Sequence, residues 1–361
     1  MRKGSKGGIS LKIKFEKRLE TPLIVNILVP IVGVILALLF CSFLLLAIKQ
    51  NPINIYGRMF SGAFGSFYGL SETVVKAIPL ILASLGVSMA FRMLLWNIGA
   101  EGQIYMGAFA ASIMPMFSPG LPVYIMLPAM FILAAIAGGI WCLLAAIPKA
   151  LWNVNETIVT LMLNYIAIFW VDYLIFGPWK DPNGFNFPLT KEFSQASWLA
   201  KFGNTRVHAG IFIALILAFV LYFVMQKTRW GYEIKVIGES YKASQYAGMN
   251  IKKNILIVMF LSGALAGIAG MGEIAGINHR LTHDVSINFG YTAIIIAWLS
   301  KLNPIMIILV SFLLGGLLVG GYSVQMVGLS SSTALMIQGA ILFFVLAGDF
   351  FTKYKIKVIK G

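Results

Sequence analysis

The sequence predicts an all-α integral membrane protein with about ten transmembrane helices. Three observations predict this fold class: apolar residues make up 59% of the 361 positions, charged residues make up only 11%, and the mean hydropathy is +0.86. Soluble domains, by comparison, are roughly 25% charged. A helix needs about 20 mostly apolar residues to cross a hydrocarbon layer of about 30 Å, and such runs recur along this chain.

Each apolar run between two polar breaks is a candidate membrane span. The first run is preceded by basic residues and is long enough to span, so we expect it to stay as the first helix rather than to be a cleaved signal peptide. Residues 53–70 are ambiguous between an interfacial helix and part of a span, because glycines recur there at spacings that favour close packing. Two runs are too short for a simple crossing and are typical of discontinuous helices: 102–117 and 288–299. The ten candidates are 23–48, 78–95, 102–117, 121–147, 157–176, 207–226, 254–277, 288–299, 304–322 and 334–351.

The basic residues favour an orientation with both termini in the cytoplasm. With the N-terminus inside, the inward segments carry 20 of the 28 Lys and Arg residues, and short loops rich in these residues face the cytoplasm. A net charge of +15 would suggest nucleic acid in a soluble protein, but here the basic residues lie between apolar runs, so no nucleic-acid partner is expected. The predicted divisions are a cytoplasmic basic segment 1–22, a transmembrane domain 23–351 with a cytoplasmic loop 227–253, and a cytoplasmic basic tail 352–361.

The polar break between the second and third predicted spans is the first candidate site. It runs from Trp96 to Gln103 and combines two glycines, two amides and a carboxylate. Such a break frees backbone groups and gathers donors and acceptors, which is what a polar solute needs within lipid depth. An ordinary cytoplasmic turn is the alternative. The candidates for the substrate pathway here are Trp96, Asn97, Glu101 and Gln103.

A second polar cluster begins the fifth predicted span. Its members are spaced so that they fall on one face of a helix, and a polar stripe on a spanning helix is expected to face the protein interior. Helix packing is the alternative to contact with a solute. The further pathway candidates are Asn155, Glu156, Thr160 and Asn164.

A three-residue motif, Asn-x-Gly with an apolar middle residue, occurs in both halves of the chain. Asn97-Ile98-Gly99 follows the second predicted span and Asn288-Phe289-Gly290 follows the seventh. The predicted topology places them on opposite membrane faces, which is the relation that an inverted repeat produces, with a central site between the halves. A chance match is the alternative for so short a pattern.

The only sizeable inward loop contains a predicted short helix from Glu239 to Gly248. Glu239 would favour its N-terminus through the helix dipole, and Gly248 would end it at the C′ position. Ala243 and Ala247 would give it a face of small residues that permits close docking on a partner protein. An interfacial helix lying on anionic membrane lipid is an equally open alternative.

The chain carries no motif of an enzyme or a metal site. There is no Gly-Lys dipeptide and therefore no Walker A phosphate loop, and neither G-x-S-x-G nor H-E-x-x-H occurs. His279 and His283 are four residues apart, but no further ligand is in view and a usual zinc site has three or four. We therefore predict a protein that is not an enzyme, with no metal site and no cofactor of its own.

Three motifs together resemble a known family. They are residues 97–103 (N-I-G-x-E-G-Q), residues 155–165 (N-E-x-I-x-T-L-M-L-N-Y) and residues 238–249. They resemble the branched-chain amino acid, ribose and nucleoside permease family of bacterial ABC importers over about residues 23–350, and most closely its nucleoside (guanosine) uptake permeases. The resemblance implies the type II ABC importer fold with an inverted repeat.

The resemblance also implies a function: a permease subunit that moves a nucleoside into the cell by alternating access, in a bacterial cell (plasma) membrane. ATP and Mg would be held by a separate ABC ATPase subunit. A second related permease and an extracellular substrate-binding lipoprotein would complete the complex. The resemblance favours the ATPase as the partner that docks on Glu239, Ala243, Ala247 and Gly248. A nucleoside suits a lining of amides for hydroxyls and base edges with flat apolar surface for the base. The alternatives are a sugar or amino-acid permease of the same family, an ion-coupled secondary transporter, and an assembly protein without a solute path.

Overall fold

The computed structural model describes residues 11–17, 23–184, 187–325, 330 and 332–360. The described chain is overwhelmingly helical, so the predicted helical membrane class is confirmed. The α-helices are α1 Leu23–Ala47, α2 Pro52–Phe64, α3 Phe67–Arg92, α4 Ala100–Phe117, α5 Val123–Trp152, α6 Glu156–Phe176, α7 Gly210–Lys227, α8 Arg229–Glu239, α9 Tyr241–Tyr246, α10 Ile251–Glu273, α11 Phe289–Leu299, α12 Pro304–Gln325 and α13 Ser332–Lys353. A π-helical turn, Ile274–Asn278, extends α10, and a 3-10 turn forms at Gln195–Ser197.

The terminal segments form the two β-strands found among the described residues. Strand β1, Leu11–Lys17, pairs antiparallel with β2, Tyr354–Lys360. The pairing joins the segments that were predicted as separate basic extensions. The strands Leu11–Lys17 and Tyr354–Lys360 therefore lie beside each other.

Six helices are long and apolar enough to cross a membrane, and a bent pair near the N-terminus raises the count to seven, within the residues described. These six are α3, α5, α6, α7, α10 with its π-helical turn, and α12. The two predicted runs that looked too short form α4, with 18 residues, and α11, with 11 residues. A count of ten spans is reached only when α1, α4, α11 and α13 are added.

The ambiguous stretch 53–70 divides between two helices. Most of it forms α2, and its last residues begin α3 at Phe67, well before the predicted start of that span at residue 78. Ser66 caps α3, since its Oγ accepts a hydrogen bond from the N–H of Gly69 at 3.0 Å. A buried helix tolerates Glu72 in its early turns because the carboxylate pairs with Arg206 at 3.0 Å.

The described chain contains two compact units. One combines the residues up to Ile55 with those from Ser332 onward, and the other is Tyr56–Ser331. In the first, α1 packs on α13, with Phe40 and Phe344 in ring contact at 5.8 Å.

Helix α10 lies at the centre of the larger unit, packed against α3, α4 and α5. Small residues make this possible, because a Cβ on Gly263 would overlap the carbonyl oxygen of Gly138 and one on Gly270 would overlap that of Ile104. Close backbone approach through glycine is how helices associate in lipid, where no hydrophobic effect drives them together.

The connections between helices sort to two ends of this unit. At one end, which we call the Arg92 end, the Arg92 guanidinium donates to the carbonyl oxygen of Leu302 at 2.8 and 3.2 Å, and Lys149 pairs with Glu156 at 3.0 Å. At the other, which we call the Asp172 end, His283 contacts Asp172 at 2.6 Å. Three connections predicted to be cytoplasmic, those after α3, α5 and α11, thus meet at one end of this unit.

Candidate functional site

The chain between α3 and α4 is irregular, and it is organised by a pair of amides. Asn97 and Gln103 exchange two hydrogen bonds of 3.1 and 2.9 Å, and Asn97 Oδ1 also accepts from the N–H of Gly99 at 3.0 Å. Asn97 Nδ2 donates to Ser262 Oγ of α10 at 2.9 Å. The pair closes the turn from which α4 starts, and it fixes that turn to the central helix.

Helix α6 supplies the side chains that satisfy backbone groups of the break. Glu156 Oε1 accepts from the N–H of Trp96 at 3.1 Å, and Thr160 Oγ1 accepts from that of Ile98 at 3.3 Å. Asn164 donates to the carbonyl oxygen of Ile98 at 2.9 Å and accepts from the N–H of Gly102 at 2.8 Å. We call Trp96–Gln103 with these three α6 residues the polar junction.

The predicted pathway residues divide by exposure. Those that are buried and hydrogen-bonded to protein groups are Asn97, Glu101, Gln103, Glu156, Thr160 and Asn164, all with 4% exposure or less. Asn155 is exposed and caps α6 by accepting from the N–H of Thr157 at 3.0 Å. Trp96 is 42% exposed and packs in a cluster with Phe91 and Trp298. The buried members form the framework of the junction.

Glu101 connects the first turn of α4 to the first turn of α11. Its Oε2 accepts a hydrogen bond from the N–H of Gly290 at 2.7 Å. A Cβ on Gly290 would overlap the backbone nitrogen of Glu101, so the two helix N-termini cross in contact. A carboxylate at a helix N-terminus interacts favourably with the helix dipole.

The junction extends from the Arg92 end, where Glu156 pairs with Lys149, to the middle of the bundle. Its partner Ser262 is the twelfth of the 23 residues of α10, about 17 Å along that helix. From this level α4 and α11 run in opposite directions. The last residue of α4, Phe117, contacts Trp179 toward the Asp172 end, whereas Trp298 of α11 contacts Phe91 at the Arg92 end.

The predicted docking helix has one error in its boundary. Glu239 does not begin it, because Glu239 is the last residue of α8. Ser240 is the cap instead, since its Oγ accepts from the N–H of Ala243 at 3.3 Å, and a short hydroxyl side chain can reach that donor. Both Glu239 and Ala243 are exposed.

The far end of the same helix agrees with the predicted geometry. Gly248 has a φ of +69°, and the N–H of Met249 donates to the carbonyl oxygen of Ser244 at 3.0 Å. These are the features of a Schellman C-cap. Ala247 is exposed, and Tyr246 is 93% exposed, so α9 presents an open surface at the Arg92 end.

Helix α8 rests directly on the last turn of α3. A Cβ on Gly238 would overlap the carbonyl oxygen of Arg92. A groove of about 740 Å³ lies beside this contact, and its lining includes Leu94, Trp152 and Tyr241. The exposed α9 follows α8 directly, so α8 connects it to the chain that leads into the polar junction.

A histidine cluster at the Asp172 end was not predicted. The His279 ring stacks on Trp198 with centroids 4.0 Å apart, and its Nε2 lies 2.9 Å from Lys201 Nζ. Burial and the positive Lys201 lower the pKa of His279 and of His208 to about 4. The hydrogen bond to Asp172 raises the pKa of His283 instead. The two histidines four apart in sequence therefore have separate partners.

Comparisons with known proteins match the chain to permease components of transport systems. The family model described as branched-chain amino acid transport system / permease component matches residues 69–346. The chain is 34% identical to the guanosine ABC transporter permease protein NupP of Bacillus subtilis, over 93% of this chain and 96% of that one. It is 33% identical to the glucose ABC transporter permease protein TsgB13 of Haloferax volcanii, over 97% and 95%. It is 28% identical to the nucleoside ABC transporter permease protein NupB of Lactococcus lactis, over 89% and 90%.

Proposed function

The chain belongs to the branched-chain amino acid transport system / permease component family and is an ABC transporter permease subunit, and on this premise we propose that the solute it moves is a nucleoside. The observation that carries the proposal is the 34% identity to a guanosine permease along 93% of the chain. A second relative, at 28% identity, is named for nucleosides as well. The protein is a multi-pass membrane protein and a transport component rather than an enzyme.

A sugar is the second candidate solute. The 33% identity to a glucose permease covers 97% of the chain and is close to the value for the guanosine permease. Sequence similarity alone therefore divides the two solutes weakly, and the experiment must compare them directly.

For the fold, we propose ten spans in a type II importer arrangement with an inverted repeat. The support is the geometry of α4 and α11, which begin at the junction in contact and run to opposite ends. The repeated motif lies at the start of both helices, with Asn97–Gly99 before α4 and Asn288–Gly290 at the first residues of α11. Broken helices that meet at mid-depth are typical of transporters with inverted repeats.

For the orientation, we propose that the Arg92 end and both termini face the cytoplasm of a bacterial cell. The distribution of 20 of the 28 basic residues supports this side. The pairing of β1 with β2 supports an even number of crossings between them, since two paired strands share one side of a membrane.

An ABC permease works with an ATPase and a binding protein. We propose that the ATPase binds the α9 surface at Ala243, Ala247 and Gly248, and that Glu239 lies next to this contact. A second related permease and an extracellular substrate-binding lipoprotein would complete the complex.

Movement of α9 would pass through Gly238 to the carbonyl of Arg92 and so to the polar junction, where α4 and α11 meet. Asn97, Glu101, Gln103, Glu156, Thr160 and Asn164 would position this junction beside the solute pathway, with Asn155 holding the start of α6 and Trp96 bordering the pathway itself.

The test is uptake by the complete complex reconstituted in vesicles. Labelled guanosine should enter only with ATP, should continue after ion gradients are collapsed, and should be inhibited by other nucleosides but not by glucose. Uptake that follows an ion gradient without ATP would reject the coupling. Inhibition by glucose with none by nucleosides would replace the nucleoside by a sugar.

A further inference from the structure

The exposed face of α6 differs in chemistry from the exposed faces of its neighbours. Tyr165, Phe169 and Tyr173 follow one another at intervals of four and are all exposed. Residues at this spacing share one face of a helix. The middle of α5 exposes only aliphatic side chains, such as Ile140 and Leu144, which is what hydrocarbon favours.

Two tyrosines on this surface adjoin Asn164, the innermost α6 residue of the polar junction. Tyr165 is the tenth residue of α6, about 14 Å from its start. Within the described residues its hydroxyl forms no hydrogen bond. Beside it, the partly exposed Tyr291 of α11 accepts a hydrogen bond from Asn164 Nδ2 at 3.3 Å.

Such hydroxyls are poorly suited to the centre of a lipid layer. Tyrosine is enriched at the membrane interfaces, where its hydroxyl meets water, and an unpaired hydroxyl in hydrocarbon is costly. Helix α7 also exposes rings, but three of them, Phe212, Phe219 and Phe223, carry no polar atom. Its exposed tyrosine, Tyr222, lies only about 8 Å from the last residue of that helix, whereas Tyr165 lies about 14 Å from the nearer end of α6. The hydroxyls rather than the rings therefore indicate that the α6 face borders water.

Aromatic side chains continue from this point toward both ends of the unit. Toward the Asp172 end, Trp170 meets Phe109 edge-on at 5.9 Å, and Phe109 stacks on Trp179 at 5.3 Å. Toward the Arg92 end, Trp96 and Trp298 lie 5.8 Å apart. Trp298 follows Tyr291 by seven residues and lies on the same face of α11.

We propose that this aromatic track, made of Trp170, Phe169, Tyr165, Tyr291, Trp298 and Trp96, is the surface along which the transported nucleoside crosses the membrane. The inference rests on the proposed nucleoside function and names the contacts that the buried junction does not offer. The base stacks on the rings, which is a sequence-tolerant contact because every base has a flat apolar face. The hydroxyls of Tyr165 and Tyr291 bond the ribose hydroxyls or the base edge at mid-depth.

The first test is water access at matched depths. Cys41 and Cys142 are both buried and are replaced by alanine. In that background Phe169→Cys is compared with Ile140→Cys, since both positions are exposed and lie about 18–20 Å from the Arg92 end of their helices. The reagent is a charged, membrane-impermeant methanethiosulfonate, applied to the complete complex during ATP turnover, with and without guanosine.

We expect Phe169→Cys to react, guanosine to slow that reaction, and Ile140→Cys to stay unreactive. Equal reactivity of the two positions in a complex that still takes up guanosine would overturn the track and leave the nucleoside function standing. Reaction at Phe169→Cys that is slowed by glucose but not by guanosine would overturn base stacking and the nucleoside function together.

The second test separates stacking from mere packing. We expect Phe169→Leu to raise the half-saturating guanosine concentration about tenfold, because loss of one stacking ring weakens binding by roughly 5- to 150-fold. Phe169→Trp keeps a ring and should restore the parent value, and Ile140→Leu should change nothing. Equal values for Phe169→Leu and Phe169→Trp would contradict the stacking contact.

Discussion

Removal of the Asn164 amide is the sharpest perturbation of the polar junction. Its side chain makes three hydrogen bonds, to the N–H of Gly102, the carbonyl oxygen of Ile98 and the hydroxyl of Tyr291. Asn164→Ala leaves the first two backbone groups buried without these partners. Each such group costs about 1–3 kcal/mol, which gives about 2–6 kcal/mol. The lower bound agrees with three interhelical bonds at about 0.6 kcal/mol each, the average measured between membrane helices.

The assay is equilibrium unfolding in mixed micelles of detergent and dodecyl sulfate, which reports the free energy of unfolding. Asn155→Ala is the matched control, because the same residue type caps the same helix from an exposed position and should cost about 0.5–2 kcal/mol. Asn164→Ala should also reduce solute uptake, since the start of α4 loses its fixed position. If Asn164→Ala costs no more than Asn155→Ala, the junction does not depend on the buried amide and the reasoning fails.

Three further predictions concern coupling and pH. Gly238→Val should uncouple ATP hydrolysis from uptake, because overpacking against the Arg92 carbonyl costs about 1–3 kcal/mol at the contact that transmits movement; ATP hydrolysis that stays coupled to uptake would contradict this. Ala243→Trp should abolish co-purification of the ATPase without lowering the stability of the permease, whereas Ala243→Ser should retain it. The segment 190–199, which is hydrogen-bonded to residues 275–281, should loosen as the pH falls from 6.5 toward 4. Burial and Lys201 lower the pKa of His208 and His279 in the folded protein to about 4. The folded state is therefore stabilised at a pH above the histidine pKa of the unfolded chain, and this stability is lost on acidification. Hydrogen exchange at the amides of Thr190, Phe193 and Leu199 measures this loosening, and unchanged protection at pH 4.5 would refute it.

The helical frame could be predicted because lipid imposes a length on each apolar run. The two runs of insufficient length became α4 and α11, whose ends meet inside the bundle. The start of α3 at Phe67 was missed, because Glu72 and Lys76 interrupt the apolar pattern there. Hydropathy cannot show that Glu72 is paired with Arg206, 134 residues away.

The polar stripe of α6 was predicted to face the protein interior, but its partners could not be predicted. Glu101 and Gly290 are 189 residues apart in sequence, and no spacing rule joins them. The boundary at Glu239 was wrong because the dipole argument ignored Ser240, whose hydroxyl is a better cap. The aromatic track was missed since the exposure of Tyr165 and Phe169 depends on which neighbours pack against α6.

The whole account depends on a membrane bundle whose α9 surface meets an ATPase inside the cell. The most direct measurement is the sidedness of Ala243→Cys in a background without Cys41 and Cys142, labelled by an impermeant thiol reagent. The account predicts no labelling from outside intact cells, labelling in inside-out vesicles, and protection of that site by the bound ATPase. Labelling from the external medium alone would contradict both the orientation and the docking.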